Sequence, residues 1–218
     1  MGEVIWSCFG YLNNTNMLKY LVTLLATSLA FSSSNPSHNL HVVFKVGVNG
    51  TFYCTKTGKL ANLVWWGGKE ISPLPVRRRG GLVCWKDGRV EGGYFEWCSS
   101  GVKFNGRKIS PQDVCWALAG GGLFLLDNKV YTSKDVAKRE GLSTHITNHK
   151  SYSFILVHKD RRKITLGVSK DGIPPAALAQ KCKGKYYALL RLDGGSATHY
   201  FFNSRKPTWV NNAVGLPQ

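Results

Sequence analysis

The sequence predicts an α+β fold: a single domain with a largely antiparallel or mixed β-sheet and a few helices. Three observations carry that prediction. Short apolar runs between residues 60 and 110 (LVWW, GLVCW, GGYFEW, VKF) recur at hairpin spacing, divided by glycine-containing turns. The chain holds 24 glycines and only two methionines, a turn-rich balance that suits strands better than a helix bundle. Helix signals, by contrast, are confined to a few places, chiefly KDVAKREG after Ser133 and the proline-opened PPAALAQKCK at 174–183.

Taken in order, residues 3–11 (EVIWSCFGY) read as a strand and the Asn-rich stretch 13–16 as a turn. Residues 18–31 are strand or helix, since periodicity does not separate the two in so apolar a run. Ser32 to Pro36 breaks the chain. The β-branched and aromatic run His41–Val48 predicts a buried strand that ends at Asn49-Gly50. Arg77-Arg78-Arg79, between two hairpin runs, reads as a solvated loop. Ser110 and Pro111 signal the start of a short helix over 111–118. After the triple glycine 120–122, LFLLDNKVY reads as a hairpin, and Ser133 as the cap of a helix ended by Gly141. Two strands, 152–158 and 163–168, flank the basic turn KDRR. A strand over 186–192 delivers Asp193, and THYFF (198–202) is the next strand.

Composition bounds the function. At 218 residues, 43% hydrophobic and 12% aromatic, the chain has apolar area for a real core and is not a disordered tail. Residues 1–39 are read as N-terminal elements of the same domain, and 40–218 as its body. The formal charge is +17, and residues 129–191 alone hold 14 Lys/Arg against 4 Asp/Glu. Such a field concentrates anions: phosphorylated sugars, nucleotides, nucleic acid or anionic polymer. The six cysteines (Cys8, Cys54, Cys84, Cys98, Cys115, Cys182) form no CxxC pair, so no metal-ligand spacing is present and reduced thiols are expected. No cofactor is predicted, and the sequence leaves any metal requirement open. The apolar run 21–31 is too short to span a bilayer, which takes about 20 residues. A core element and a cytoplasmic setting are favoured. Secretion is the alternative if residues 17–33 act as a signal segment.

The segment with the clearest chemistry is YALLRLDGGSATHYFF. An apolar strand ends in a carboxylate, two glycines and hydroxyl residues, which sets exposed N–H groups beside Asp193 and lets an anionic group approach closely. The same letters also make an ordinary hairpin turn. Asp193 is the one acidic residue in a Gly-rich, strand-end setting, a candidate nucleophile, base or electrostatic stabiliser. His149 and His199 can transfer protons near neutral pH. Asn49 can hydrogen-bond a sugar hydroxyl.

These motifs, in their order, resemble the phosphodiester glycosidase family, the family of the uncovering enzyme that exposes mannose-phosphate tags. Leu192-Asp193-Gly194-Gly195-Ser196-Ala197-Thr198 is similar to its L-D-G-G-(G)-S-x-T segment. Asn49-Gly50-Thr51-Phe52 matches its N-G-x-F, Gly120-Gly121-Gly122 its triple glycine, and Asn212-Ala213-Val214 its closing segment; the likeness spans roughly residues 40–215. The resemblance implies a glycosidase acting on a sugar phosphodiester or related phosphorylated glycan. It supports a catalytic role for Asp193, beside which His149 and His199 are the candidate proton-transfer residues from their own chemistry. Asn49, Gly50, Phe52, Gly120, Gly121, Gly122, Lys150, Gly194, Gly195, Ser196 and Thr198 would bind substrate.

The chain departs from the family pattern in three places. His149-Lys150-Ser151-Tyr152-Ser153 stands where the family has an R-x-P-R-T-like segment, so His149 and Lys150 are left as the candidate anion contacts. Ser169-Lys170-Asp171 stands for D-G-R, and the D-G-G segment is a glycine short or carries Ala197 for a serine. The departures keep two other readings open: a catalytically degenerate pocket that holds a phosphorylated ligand, and a non-enzymatic basic module for nucleotide or nucleic acid. A Ser-His-Asp hydrolase with a G-x-S-x-G elbow is excluded, because that motif is absent.

Overall fold

The computed structural model describes residues 18–25, 30–33, 44–54, 57, 59–74, 78–169, 172–195, 200–204 and 212–217. The fold is α+β and mainly β, with three antiparallel sheets and three α-helices among the described residues. The six-stranded sheet runs in the order Leu18–Leu25, Lys163–Ser169, Tyr152–His158, Tyr186–Gly194, Leu123–Leu126, Lys129–Val130. The seven-stranded sheet runs Lys69–Ser72, Val64–Trp66, Val114–Ala119, Arg78–Trp85, Val90–Cys98, Gly101–Phe104, Arg107–Ile109. A four-stranded sheet places Phe44–Asn49 between Tyr200–Ser204 and Asn212–Pro217, with Ala30–Ser33 at the far edge.

Side-chain alternation explains the layering. One face of the six-stranded sheet (Ile155, Val157, Ile164, Leu166, Leu190) packs on Leu82, Cys84, Trp116 and Leu118 of the seven-stranded sheet. Its other face (Phe154, Leu156, Leu189) is covered by Val136, Leu178 and Ala179 from two helices. The far face of the seven-stranded sheet closes over Trp65, Phe95 and Phe104. Burial of this much apolar area drives the fold, at about 25 cal/mol per Å².

The apolar run 18–31 resolves into strands, Leu18–Leu25 and Ala30–Ser33, and the first pairs antiparallel with Lys163–Ser169. Helix α1, Ser133–Glu140, is capped by Thr132 and not by Ser133: Thr132 accepts from Asp135 N, and the Asp135 carboxylate returns a bond to Thr132 N at 3.0 Å. Gly141 ends it in the left-handed region at φ 63°. Helix α2 is Thr144–Asn148 and helix α3 is Pro175–Cys182.

Two expectations are corrected. Residues 111–118 do not form a helix: a single 3-10 turn, Pro111–Asp113, leads into the strand Val114–Ala119. Ser110 does occupy the cap position, where its N–H and its hydroxyl both donate to the Asp113 carboxylate, at 2.7 and 2.8 Å. The run VCWALA then pairs with strands on both sides, and that ladder outweighs the local start signal. Arg78 and Arg79 are strand residues and no solvated loop. Arg78 pairs with Glu96 at 3.3 Å, while Arg79 is buried and donates to the Glu140 carbonyl at 3.0 Å. The readings for 3–11, 13–16 and Arg77 lie outside the described residues.

Candidate active site

The site grows from the strand Tyr186–Gly194. Its apolar residues are locked into both cores, and Arg191 follows Leu189 on the face toward the helices, while a register irregularity between Arg191 and Gly194 carries Asp193 at the strand end. Three segments remote in sequence bond to this strand end. Asp193 N donates to the Gly50 carbonyl at 3.0 Å, and Gly195 N to the Ser151 carbonyl at 2.8 Å. Gly121 N donates to Arg191 O at 2.7 Å, and Arg191 N to Gly122 O at 2.9 Å. The residues after Asn49 are tied to the triple glycine through side chains. Asn62 donates to Thr51 Oγ1 at 2.7 Å, and Thr51 in turn to Ala119 O at 2.9 Å.

Two opposite charges are buried here. Asp193 is 9% exposed, and burial pushes its carboxyl up to about 6. The Gly194 N–H, 2.7 Å from Oδ1, and the charge of Arg191 pull the other way. Arg191 is 2% exposed, and burial brings its guanidinium down to about 10 against the opposing pull of Asp193. The guanidinium carbon lies 5.4 Å from the Phe52 ring centre and 5.6 Å from that of Tyr152. Both are cation–π distances. Nη1 donates to Leu192 O at 3.1 Å, and the buried Nε has no partner among the described residues. The Tyr152 hydroxyl donates to Ile173 O at 3.1 Å, and burial raises its pKa.

The structure therefore brings Asp193, Gly50, Phe52, Gly120, Gly121, Gly122, Gly194 and Gly195 together, with the backbone of Asn49 leading into them. His149 borders the group: its Nδ1 is 3.1 Å from Ser151 O and 3.2 Å from Ser151 N, so the tautomer decides which it bonds. Lys150 is exposed, and its carbonyl accepts from Ser169 Oγ at 2.9 Å. Ser196, Thr198 and His199 lie outside the described residues. A concavity of about 620 Å³, lined by Arg78, Glu96, Lys103 and Arg139 among others, includes none of the Asp193 group. Among the described residues no cluster of three His, Cys, Asp or Glu side chains suits a metal ion.

Sequence reasoning missed Arg191 and Tyr152. The available signal was a lone cation inside the apolar run YALLRL, where burial demands a dedicated partner.

The chain shares its fold with the zebrafish N-acetylglucosamine-1-phosphodiester alpha-N-acetylglucosaminidase catalytic domain, a structure described as auto-inhibited by pro-peptide. The TM-score is 0.67 at 15% identity, over 91% of this chain and 76% of that chain. A hypothetical protein from Synechocystis is similar at TM-score 0.64 and 13% identity, over 92% of this chain and 60% of that one. No family model and no curated protein matches. At these identities the likeness shows the fold alone. Among the described residues, no helix is long and apolar enough to cross a membrane.

Proposed function

We propose that the chain is a hydrolase that cleaves the glycosidic bond of a sugar phosphodiester or a related phosphorylated glycan. The observation that carries this reading is Asp193: a buried carboxyl, about 6 in pKa, at a strand end where glycines from two segments meet. A group that titrates near neutrality is suited to proton transfer at the anomeric centre, and in its ionised form can stabilise or trap oxocarbenium character there. A phosphate is already a good leaving group, so little general-acid help is required. His149, beside Ser151, is the candidate to move a proton in this reading. The fold shared with a phosphodiester glycosidase catalytic domain supports the same reading.

The test is release of free sugar from a panel of sugar 1-phosphodiesters, with uncharged aryl glycosides as controls. Turnover of the phosphodiesters is expected. Binding without turnover across the panel would instead establish the degenerate pocket, which the His149-Lys150-Ser151-Tyr152-Ser153 departure favours. Lys150→Ala is expected to raise KM a few-fold for an anionic substrate, less as salt rises, because an exposed lysine is a screened point charge. An equal KM at low salt removes Lys150 from the anion site.

A further inference from the structure

The glycines of the site pose a question of space. Sequence logic assigns Gly121 and Gly194 to the close approach of a substrate. In the structure that space is occupied: a Cβ on Gly121 would meet Arg191 Nη1 and come within 2.5 Å of the Phe52 ring. A Cβ on Gly194 would lie 2.7 Å from Arg191 Nη2. Both ends of one buried guanidinium are thus framed by residues without side chains, and its two neighbouring rings come from Phe52 and Tyr152. Few sites house an arginine at 2% exposure whose Nε finds no partner among the described residues, because desolvating the charge costs several kcal/mol.

We propose that Arg191 is the positioning residue of this site: the guanidinium, housed by Gly121 and Gly194, acts with the Gly194 N–H to hold the Asp193 carboxylate charged for its chemistry. This rests on the reading of Asp193 given above. Gly194, whose N–H donates to the Asp193 carboxylate at 2.7 Å, is the same residue whose Cβ would lie 2.7 Å from Arg191 Nη2, so the guanidinium sits close to that end of the strand. Arg191 and Asp193 do not close an ion pair; their coupling is through space, in a low-dielectric setting where such coupling is strong. The Gly194 N–H, 2.7 Å from Oδ1, also holds the Asp193 charge, and the side chains around it add little. Tyr152 is neutral and committed to Ile173 O, Lys150 is exposed, and His149 is turned to the Ser151 backbone. The segments at Gly50–Phe52 and Gly120–Gly122 bring no titratable side chain. The cation that the family pattern places near residues 149–153 is in this chain delivered from the neighbouring strand, against Tyr152 of that same stretch.

The experiment is a carboxyl ¹³C NMR titration of the full chain, with the Asp193 resonance assigned by its loss in Asp193→Asn. In Arg191→Met the Asp193 midpoint is expected to rise by about one pH unit or more, as on loss of a close opposite charge. Arg191→Lys should keep most of the parent value. Gly121→Ala, which crowds the guanidinium without removing it, should fall between. An Arg191→Met chain that folds with an unchanged midpoint overturns the proposal and leaves Arg191 as a packing residue that ties Leu192 O. If Arg191→Met does not fold, the unmodified chain decides: the Arg191 Nε–H resonance must move with the Asp193 midpoint, and a flat trace overturns the proposal. Neither readout needs turnover. An inactive chain with the coupling keeps this inference and loses the hydrolase reading; an active chain without the coupling does the reverse.

Discussion

Asp193→Asn is expected to lower turnover of a sugar phosphodiester by on the order of 10³-fold or more while making the folded chain more stable at neutral pH. The first effect follows because an amide can neither trap nor stabilise developing positive charge as a carboxylate does. The second follows from linkage. The folded carboxyl is raised from an ordinary 3.8 to about 6. Its stabilising contribution is complete below the unfolded value and is lost as pH rises through the folded one. A difference of roughly two units corresponds to about 3 kcal/mol across that window. Asparagine never ionises and escapes the loss, though it leaves Arg191 without its counter-charge, so a net gain of about 1–3 kcal/mol at pH 7 is expected. Asp113 and Asp135, held below the usual range by Ser110 and Thr132, act in the opposite sense in both proteins. The difference between variant and parent is therefore the readout. Urea unfolding at pH 4, 5, 6 and 7 should show the two curves separating as pH rises; parallel curves would contradict the buried-carboxyl account. A variant with parental turnover would sink the hydrolase reading.

The parts of this fold visible in the sequence are those that local chemistry dictates. The hairpin runs of 60–110 reappear as Val64–Trp66, Arg78–Trp85, Val90–Cys98 and Gly101–Phe104, each bounded by the turn its glycines allow. The strands at 152–158 and 163–168 needed only a run of β-branched residues and the KDRR turn, where Arg161 takes φ 56°. What failed depends on partners far along the chain. A cap at Ser110 reads the same whether a helix or a strand follows, and the choice was made by Trp66 and Cys84, which pair with Trp116. The arginine run at 77–79 looks solvated unless Glu140 is known to wait for Arg79. The Asp-Gly-Gly segment reads as a place where an anionic group approaches, and the described group that lies against Gly194 is a cation. That this group is Arg191, a member of the same strand, was not legible, because no local pattern distinguishes a buried cation from an exposed one.

The largest expected effect on stability is that of Glu140→Ala. Glu140 is 2% exposed in the last turn of α1. Its Oε2 accepts from Gly80 N and its Oε1 from Leu123 N, each at 2.9 Å. One side chain thus joins the seven-stranded sheet, the helix and the first residue after the triple glycine. The Gly80 carbonyl accepts from Gly120 N at 3.1 Å, so both ends of the triple glycine hang on this carboxylate. Burial pushes the Glu140 carboxyl upward, opposed by the two N–H donors and by Arg79 and Arg78. Because both oxygens accept from N–H groups, the carboxylate suits the place better than the acid does. Alanine leaves two buried donors without acceptors and the Arg79 charge without its counter-ion, a loss of about 3–5 kcal/mol. Against a typical total of about 5–15 kcal/mol, that brings the chain close to unfolding at physiological temperature. Glutamine keeps one acceptor but turns an NH₂ toward an N–H, at a cost of roughly 1–3 kcal/mol. The order parent, Glu140→Gln, Glu140→Ala should appear in the urea midpoints with little change in slope. Because the triple glycine moves with its anchors, turnover should fall in Glu140→Gln even under conditions where the protein is fully folded. If Glu140→Ala unfolded at the parental urea concentration, the carboxylate would not be the tie between the two sheets, and the placement of Gly121 beside Arg191 would need another cause.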